Sequence, residues 1–144
     1  MSLKFSKIPI QIIAIEDDGF HLLIKAEIED KDALLLIDTG ASRSVFDINR
    51  IKNFLGEKEF ASHDKLSTGL GTNSMETHFT ELNDLKIGDI TLSSFKAVLL
   101  DLTHVNESYL KLGLAQIDGV LGSDVLFDRS AVIDYGRSEL HLMS

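Results

Sequence analysis

The chain contains no cysteine, which excludes disulfides, thiolate nucleophiles and cysteine-ligated zinc or iron–sulfur centres and leaves reducing and oxidising compartments equally open. Tryptophan is absent, and the single proline, Pro9, offers no material for a proline-rich linker. Basic residues are scarce: 14 Lys and Arg stand against 23 Asp and Glu, a net charge of −9 at pH 7. A phosphate backbone or an anionic membrane surface would repel such a chain, so nucleic-acid binding is not expected. Long hydrophobic runs are also missing. The Ile8–Ile15 run is short, is interrupted by Gln11 and passes into Glu16-Asp17-Asp18. It reads as mature structure, neither a membrane span nor a signal peptide. There is no low-complexity tract and no repeat at a solenoid period. With 144 residues, 44% of them hydrophobic, one domain spanning residues 1–144 and holding one core is the expectation.

What the chain does have is a series of short strand signals. Residues 20–29 alternate, with Phe20, Leu22, Ile24, Ala26 and Ile28 on one face and His21, Lys25, Glu27 and Glu29 on the other, the pattern of a half-buried strand. Asp17-Asp18-Gly19 predicts a hairpin turn joining it to a strand at Ile8–Ile15, and Glu29-Asp30-Lys31-Asp32 predicts the next turn. Residues 33–37 are apolar on both faces, as in a central strand buried on two sides. Ile48, Ile51, Phe54 and Leu55 have helical spacing between Asp47, a candidate N-cap, and Gly56. Further strands are expected at Leu82–Ile87, Ile90–Leu92, Ala97–Leu100 and Asp118–Gly122, with a last hairpin from Ala131–Tyr135 to Leu140–Leu142. A second helix is expected from Val105 to Leu114, and a brief third one capped by Ser123 or Asp124. Many short strands with two or three short helices predict a mainly β, barrel-like domain.

The segment richest in chemistry is Ile37-Asp38-Thr39-Gly40-Ala41-Ser42, where a carboxylate sits at the point where a buried strand stops and a tight turn begins. Taken alone, Asp-Thr-Gly is equally ordinary turn chemistry, Asp bonding the backbone and Gly taking an unusual φ. About eighty residues on, Ile117-Asp118-Gly119-Val120-Leu121-Gly122-Ser123-Asp124 places two apolar residues and a glycine before a short helix. Between them lies Thr68-Gly69-Leu70-Gly71-Thr72-Asn73, too rich in glycine and small polar residues to pack and readable as an exposed hairpin.

Asp38-Thr39-Gly40-Ala41, Gly69-Leu70-Gly71 and Val120-Leu121-Gly122, in that order, resemble the retropepsin-like aspartic proteases over roughly residues 20–142. The likeness is to the bacterial, single-lobe members, since the viral enzymes are shorter. It implies a closed retropepsin-like β-barrel and an aspartic endopeptidase without metal or organic cofactor, acting on a peptide or protein. By the resemblance Asp38 is catalytic, Gly69, Leu70 and Gly71 form a substrate-covering flap, and Thr39, Gly40, Ala41 and Gly122 support the site. Thr39 would bridge to a partner's loop, and Gly40 would let substrate backbone approach. Ala41 stands where two-lobed pepsin-like enzymes usually carry Ser, which implies a less acidic optimum.

Elementary chemistry points the same way. Hydrolysis by carboxylates needs two of them sharing one proton, one as base toward water and the other as acid toward the carbonyl. One Asp-Thr-Gly in 144 residues supplies half a site, so a homodimer with Asp38 facing its copy is expected.

Two departures from the viral pattern stand out. Where viral enzymes have acidic residues after Asp-Thr-Gly-Ala this chain has Ser42-Arg43, and where they have Arg after the helix-leading glycine it has Ser123. The ion pair joining those places in the viral enzymes is therefore missing, and their substrate and dimer contacts do not carry over. Leu3–Ile8 and Leu140–Ser144 are candidate dimer strands if the termini interleave. An alternative function is a catalytically inactive dimeric peptide-binding or scaffold module on the same fold. Asp134 in Ile133-Asp134-Tyr135-Gly136 suits a hairpin turn better than a second catalytic position. Asp101-Leu102-Thr103-His104 and Ser62-His63-Asp64 lack metal-ligand spacing, and no Ser sits in a Gly-x-Ser-x-Gly elbow.

Overall fold

The alternating segment at 20–29 is strand β3, Gly19–Ile28, in a computed structural model that describes residues 4–15, 19–55 and 78–144. Leu22, Ile24, Ala26 and Ile28 point into the main core, whereas Phe20, assigned to the same face by periodicity, lies exposed near the strand's start. Glu29 and Asp30 both take left-handed φ, 51° and 71°, as a two-residue hairpin turn requires, and lead into strand β4, Lys31–Ile37. Strand β4 is buried on both sides, as its composition predicts: Ala33, Leu35 and Ile37 face the main core, and Leu34 and Leu36 face a second cluster formed by Leu23, Leu102, Tyr109, Ile117 and Val120.

The rest of the wall is built from distant segments. Strand β8, Gly119–Leu121, lies parallel to β4, with Leu35, Leu36 and Ile37 opposite Gly119, Val120 and Leu121. Strand β5, Val45–Asp47, pairs with β8 on one side and with β7, Ile90–Leu100, on the other. Strand β6, His78–Ile87, pairs with β7 and closes the barrel against β3 through Glu27–Lys86 and Ile28–Leu85. Six strands in the order β3-β4-β8-β5-β7-β6 thus form a closed barrel with no free edge, the mainly β fold expected. The segments Ile90–Leu92 and Ala97–Leu100 prove to be one strand: Ser94 takes φ 53°, yet the register with β6 continues unchanged on both sides of it.

The expected single strand at Ile8–Ile15 is two. Strand β1, Phe5–Pro9, pairs with β10, Glu139–Met143, which pairs with β9, Val132–Asp134, while strand β2, Gln11–Ile15, pairs with β3. The break follows from Pro9, which has no N–H to donate, and from Ile10, whose N–H goes to the Ser138 carbonyl at 2.8 Å. Asp17 and Asp18 of the predicted turn lie outside the described residues, but Ile15 opposite Gly19 establishes the hairpin.

The helices are shorter than their periodicity implies. Helix α1 is only Lys52–Leu55, because residues 48–51 form turns, and Gly56 lies outside the described residues. Helix α2 runs Thr103–Lys111, two residues earlier than expected. Gly113 at φ 77° ends it, with its N–H on Leu110 O and the Leu114 N–H on Tyr109 O, a Schellman closure. Helix α3, Ser123–Asp128, is led by Gly122 in extended backbone, so neither Ser123 nor Asp124 is its N-cap. Among the described residues no helix is long and apolar enough to cross a membrane.

Candidate active site

Asp38 follows directly on β4, where the strand's pairing with β8 runs out. Its N–H donates to Leu121 O at 3.0 Å, the last rung between the two segments, and its carboxylate is exposed. The Gly40 N–H donates to Asp38 Oδ1 at 3.0 Å and the Ala41 N–H to Asp38 O at 3.1 Å, so residues 38–41 form a tight turn stabilised by the aspartate itself. No described residue donates to Oδ2, which leaves half of the carboxylate available.

Thr39 and Gly40 are exposed beside it, and Ala41 packs against the second cluster. Gly40 is not left-handed, contrary to the turn reading of the sequence; the left-handed glycines among the described residues are Gly19, Gly88 and Gly113. A Cβ built on Gly40 would lie 3.5 Å from Asp38 Oδ1, an ordinary contact, so the chain's own packing does not demand glycine there. Gly122 is different. A Cβ at that position would sit 2.7 Å from Ala41 O and 2.9 Å from the Arg43 carbonyl, and only glycine lets the two segments run this close.

Along that approach the segments 38–44 and 121–124 are stitched together. The Ser123 N–H and hydroxyl both donate to Ala41 O, at 2.7 and 3.1 Å. The Gly122 N–H donates to Ser44 Oγ at 2.8 Å; the Ser44 hydroxyl donates to Asp124 Oδ1 at 2.7 Å and its N–H to Asp124 Oδ2 at 3.0 Å. Ser44 is 1% exposed. Sequence reasoning registered the missing viral ion pair but not the bond that joins the same two elements here. The one available signal was a serine two residues beyond Ser42 and an aspartate two beyond Gly122, both unremarkable as letters.

A second polar network lies deeper. Asp47 is not the expected helix N-cap, because α1 begins only at Lys52; its Oδ1 instead accepts the Asn49 N–H at 3.3 Å in a local turn and the buried Leu102 N–H at 3.1 Å, and the Asn106 amide reaches Oδ2 at 3.5 Å. Asn106 in turn exchanges bonds with the Ile117 backbone, 2.7 Å from its N–H and 3.1 Å to its O. Asp118 accepts the Leu34 N–H at 2.9 Å and pairs with Arg50 Nε at 2.8 Å. This network fixes α2 and the entry to β8.

Asp134 holds the expected turn, accepting the Arg137 N–H at 2.9 Å. Asp101 accepts the Thr103 hydroxyl and N–H at the start of α2 and the Asn49 amide at 2.9 Å; those bonds, the Thr103 hydroxyl first, hold its carboxyl below the usual range. Gly69, Leu70 and Gly71, with Ser62-His63-Asp64, lie outside the described residues. Among the described residues no group of three or more His, Asp or Glu is placed to hold a metal ion.

Solved structures share the fold. A retropepsin-like aspartic protease from Rickettsia conorii superposes with a TM-score of 0.57 at 22% identity, covering 99% of this chain and 94% of that one. The retroviral protease-like domain of Ddi1 from Leishmania major gives 0.57 at 12% identity, covering 85% and 87%. EIAV protease, solved with the inhibitor HBY-793, gives 0.51 at 17% identity, covering 85% and 99%. No curated protein matches significantly in sequence. A profile described as aspartyl protease matches residues 24–125, more than two-thirds of the chain and the whole stretch from β3 through Asp38 to the start of α3. The chain belongs to the aspartyl protease family and has a retropepsin-like fold.

Proposed function

We propose that this protein is an aspartic endopeptidase that acts as a homodimer of one-domain chains, in which Asp38 of each copy contributes half of the catalytic dyad. The observation that carries this reading is Asp38 itself: an exposed carboxylate with one oxygen fixed by the Gly40 N–H and the other uncommitted, at the end of a rigid, doubly buried strand. Two such carboxylates brought together cannot both ionise cheaply, so they share a proton. The ionised one takes a proton from water as that water attacks the peptide carbonyl. The protonated one donates to the carbonyl oxygen, and proton transfer to the leaving nitrogen completes cleavage.

The chain holds one Asp-Thr-Gly, and this supports a second copy as the source of the other carboxylate. Strands β1 and β10 pair within one chain along five residues, so the termini need not be exchanged to be ordered. Among the described residues, the sheet β1-β10-β9 ends at β1 and β9, and these outer strands are the candidate places for that copy to add to it. Thr39, exposed beside Asp38, is the candidate bridge between the two turns, Gly40 the point of close substrate approach, and Gly69-Leu70-Gly71 the flap.

The test is cleavage of a diverse peptide pool between about pH 3.5 and 7, the range where a shared-proton dyad titrates, with products read by mass spectrometry. The native chain should cleave and Asp38→Asn should not, while sedimentation finds both dimeric. A confirmed dimer without cleavage at any pH would assign the fold to peptide binding instead.

A further inference from the structure

The two site-forming segments, 38–44 and 121–124, which continue from the parallel strands β4 and β8, are joined at their far end by a bond that no cation takes part in. Asp124 accepts three donors, the Ser44 hydroxyl and the Val125 N–H on Oδ1 and the Ser44 N–H on Oδ2, at 2.7, 2.9 and 3.0 Å. The Ser44 oxygen, having donated its proton, accepts the buried Gly122 N–H at 2.8 Å. Only an acceptor-only group fits such a constellation: an amide at 124 would turn its NH₂ toward a donor, and alanine at 44 would strand the Gly122 N–H. One end of the catalytic turn is held by β4 and the Asp38 N–H; between, residues 39, 40, 42 and 43 are exposed, and among the described residues only the neighbouring Ala41 packs against an apolar cluster.

We propose that Ser44 and Asp124 are positioning residues for the protease reaction, a neutral–anionic lock that sets the angle at which the turn presents Asp38. The lock stands between the same two elements that an ion pair joins in the viral pattern, but at the next positions along, Ser44 after Ser42-Arg43 and Asp124 after Ser123. It rests on the protease reading above. A displacement of even about 1 Å at the turn would misalign the shared proton and cost roughly a hundredfold in rate, with little effect on how substrate is held elsewhere.

The experiment compares native protein, Ser44→Ala, Ser44→Thr, Asp124→Asn and the Ser44→Ala/Asp124→Asn double variant as dimers, well below their melting temperatures. Expected are a kcat loss of roughly 10–100-fold in Ser44→Ala and Asp124→Asn with KM nearly unchanged, a double variant no worse than the poorer single one, and recovery of most of kcat in Ser44→Thr. Amide exchange supplies a readout that does not depend on catalysis. In Asp124→Asn the Gly40 and Ala41 amides should exchange faster while those of β3 and β4 stay protected.

Native activity with unchanged kcat in the variants, or losses that multiply in the double variant, would overturn the lock and leave the protease reading standing. If Ser44→Ala does not fold, Asp124→Asn alone decides by the same two readouts. A native dimer that cleaves nothing would overturn the protease reading first, and the positioning role with it.

Discussion

The turn at Asp38 and the network around Asp47 and Asp118 use the same side chain for opposite ends. Asp47 and Asp118 are 2% and 5% exposed, and their oxygens are occupied by backbone N–H groups, an amide and a guanidinium. Asp38 is exposed and receives one N–H on one oxygen. A carboxylate whose acceptor sites are filled holds structure together; one with capacity left over has something to offer a proton or a water. The difference lies not in residue type but in what the fold leaves unsatisfied.

The largest test of that contrast is Asp38→Asn. Cleavage should fall by at least about ten-thousand-fold, while denaturant unfolding changes by no more than about 0.5 kcal/mol, because the Gly40 bond survives in the amide. Asp47→Ala should do the reverse. It leaves the Leu102 N–H and the Asn106 amide buried without their acceptor, at roughly 2–4 kcal/mol, measurable as a shift in urea midpoint at unchanged slope. Between them stands Gly122→Ala, whose methyl meets backbone rather than a yielding side chain. It should cost about 1–3 kcal/mol and reduce cleavage as well, since the displaced atoms belong to Ala41 and Arg43.

The smallest effect concerns Asp101. Hydrogen bonds hold its folded pKa below the unfolded value, so its contribution to stability is present above about pH 4, the unfolded value, and is lost as pH falls through the folded one. Thr103→Val removes the foremost of those bonds. The stability gap between the native chain and this variant should narrow as unfolding curves are taken to progressively lower pH.

Much of the barrel and the candidate catalytic turn was legible in the sequence because both are local patterns. Strand β3 alternates, β4 is apolar on two faces, and Asp38-Thr39-Gly40 marks where burial ends. What escaped depends on partners far along the chain. Ile8–Ile15 reads as one strand until the Ser138 carbonyl is found beside Ile10, and helical spacing at 48–55 does not reveal that its first half forms turns. Ser44 and Asp124 are eighty residues apart, and nothing in either stretch names the other. Asp118 and Asn106 likewise declare themselves only once α2 is laid against β8, since an isolated polar residue gives no sign of being buried.

The central claim is that two chains contribute one carboxylate each, and mixing tests it most directly. Native chain and Asp38→Asn chain, equilibrated at equal concentrations with exchange between dimers allowed, form native homodimers in about a quarter of cases by random pairing. At fixed total protein, cleavage should therefore fall to about a quarter of the native rate. A fall to one half would mean that each chain carries a complete site, and the account of Asp38 as half a dyad would be wrong.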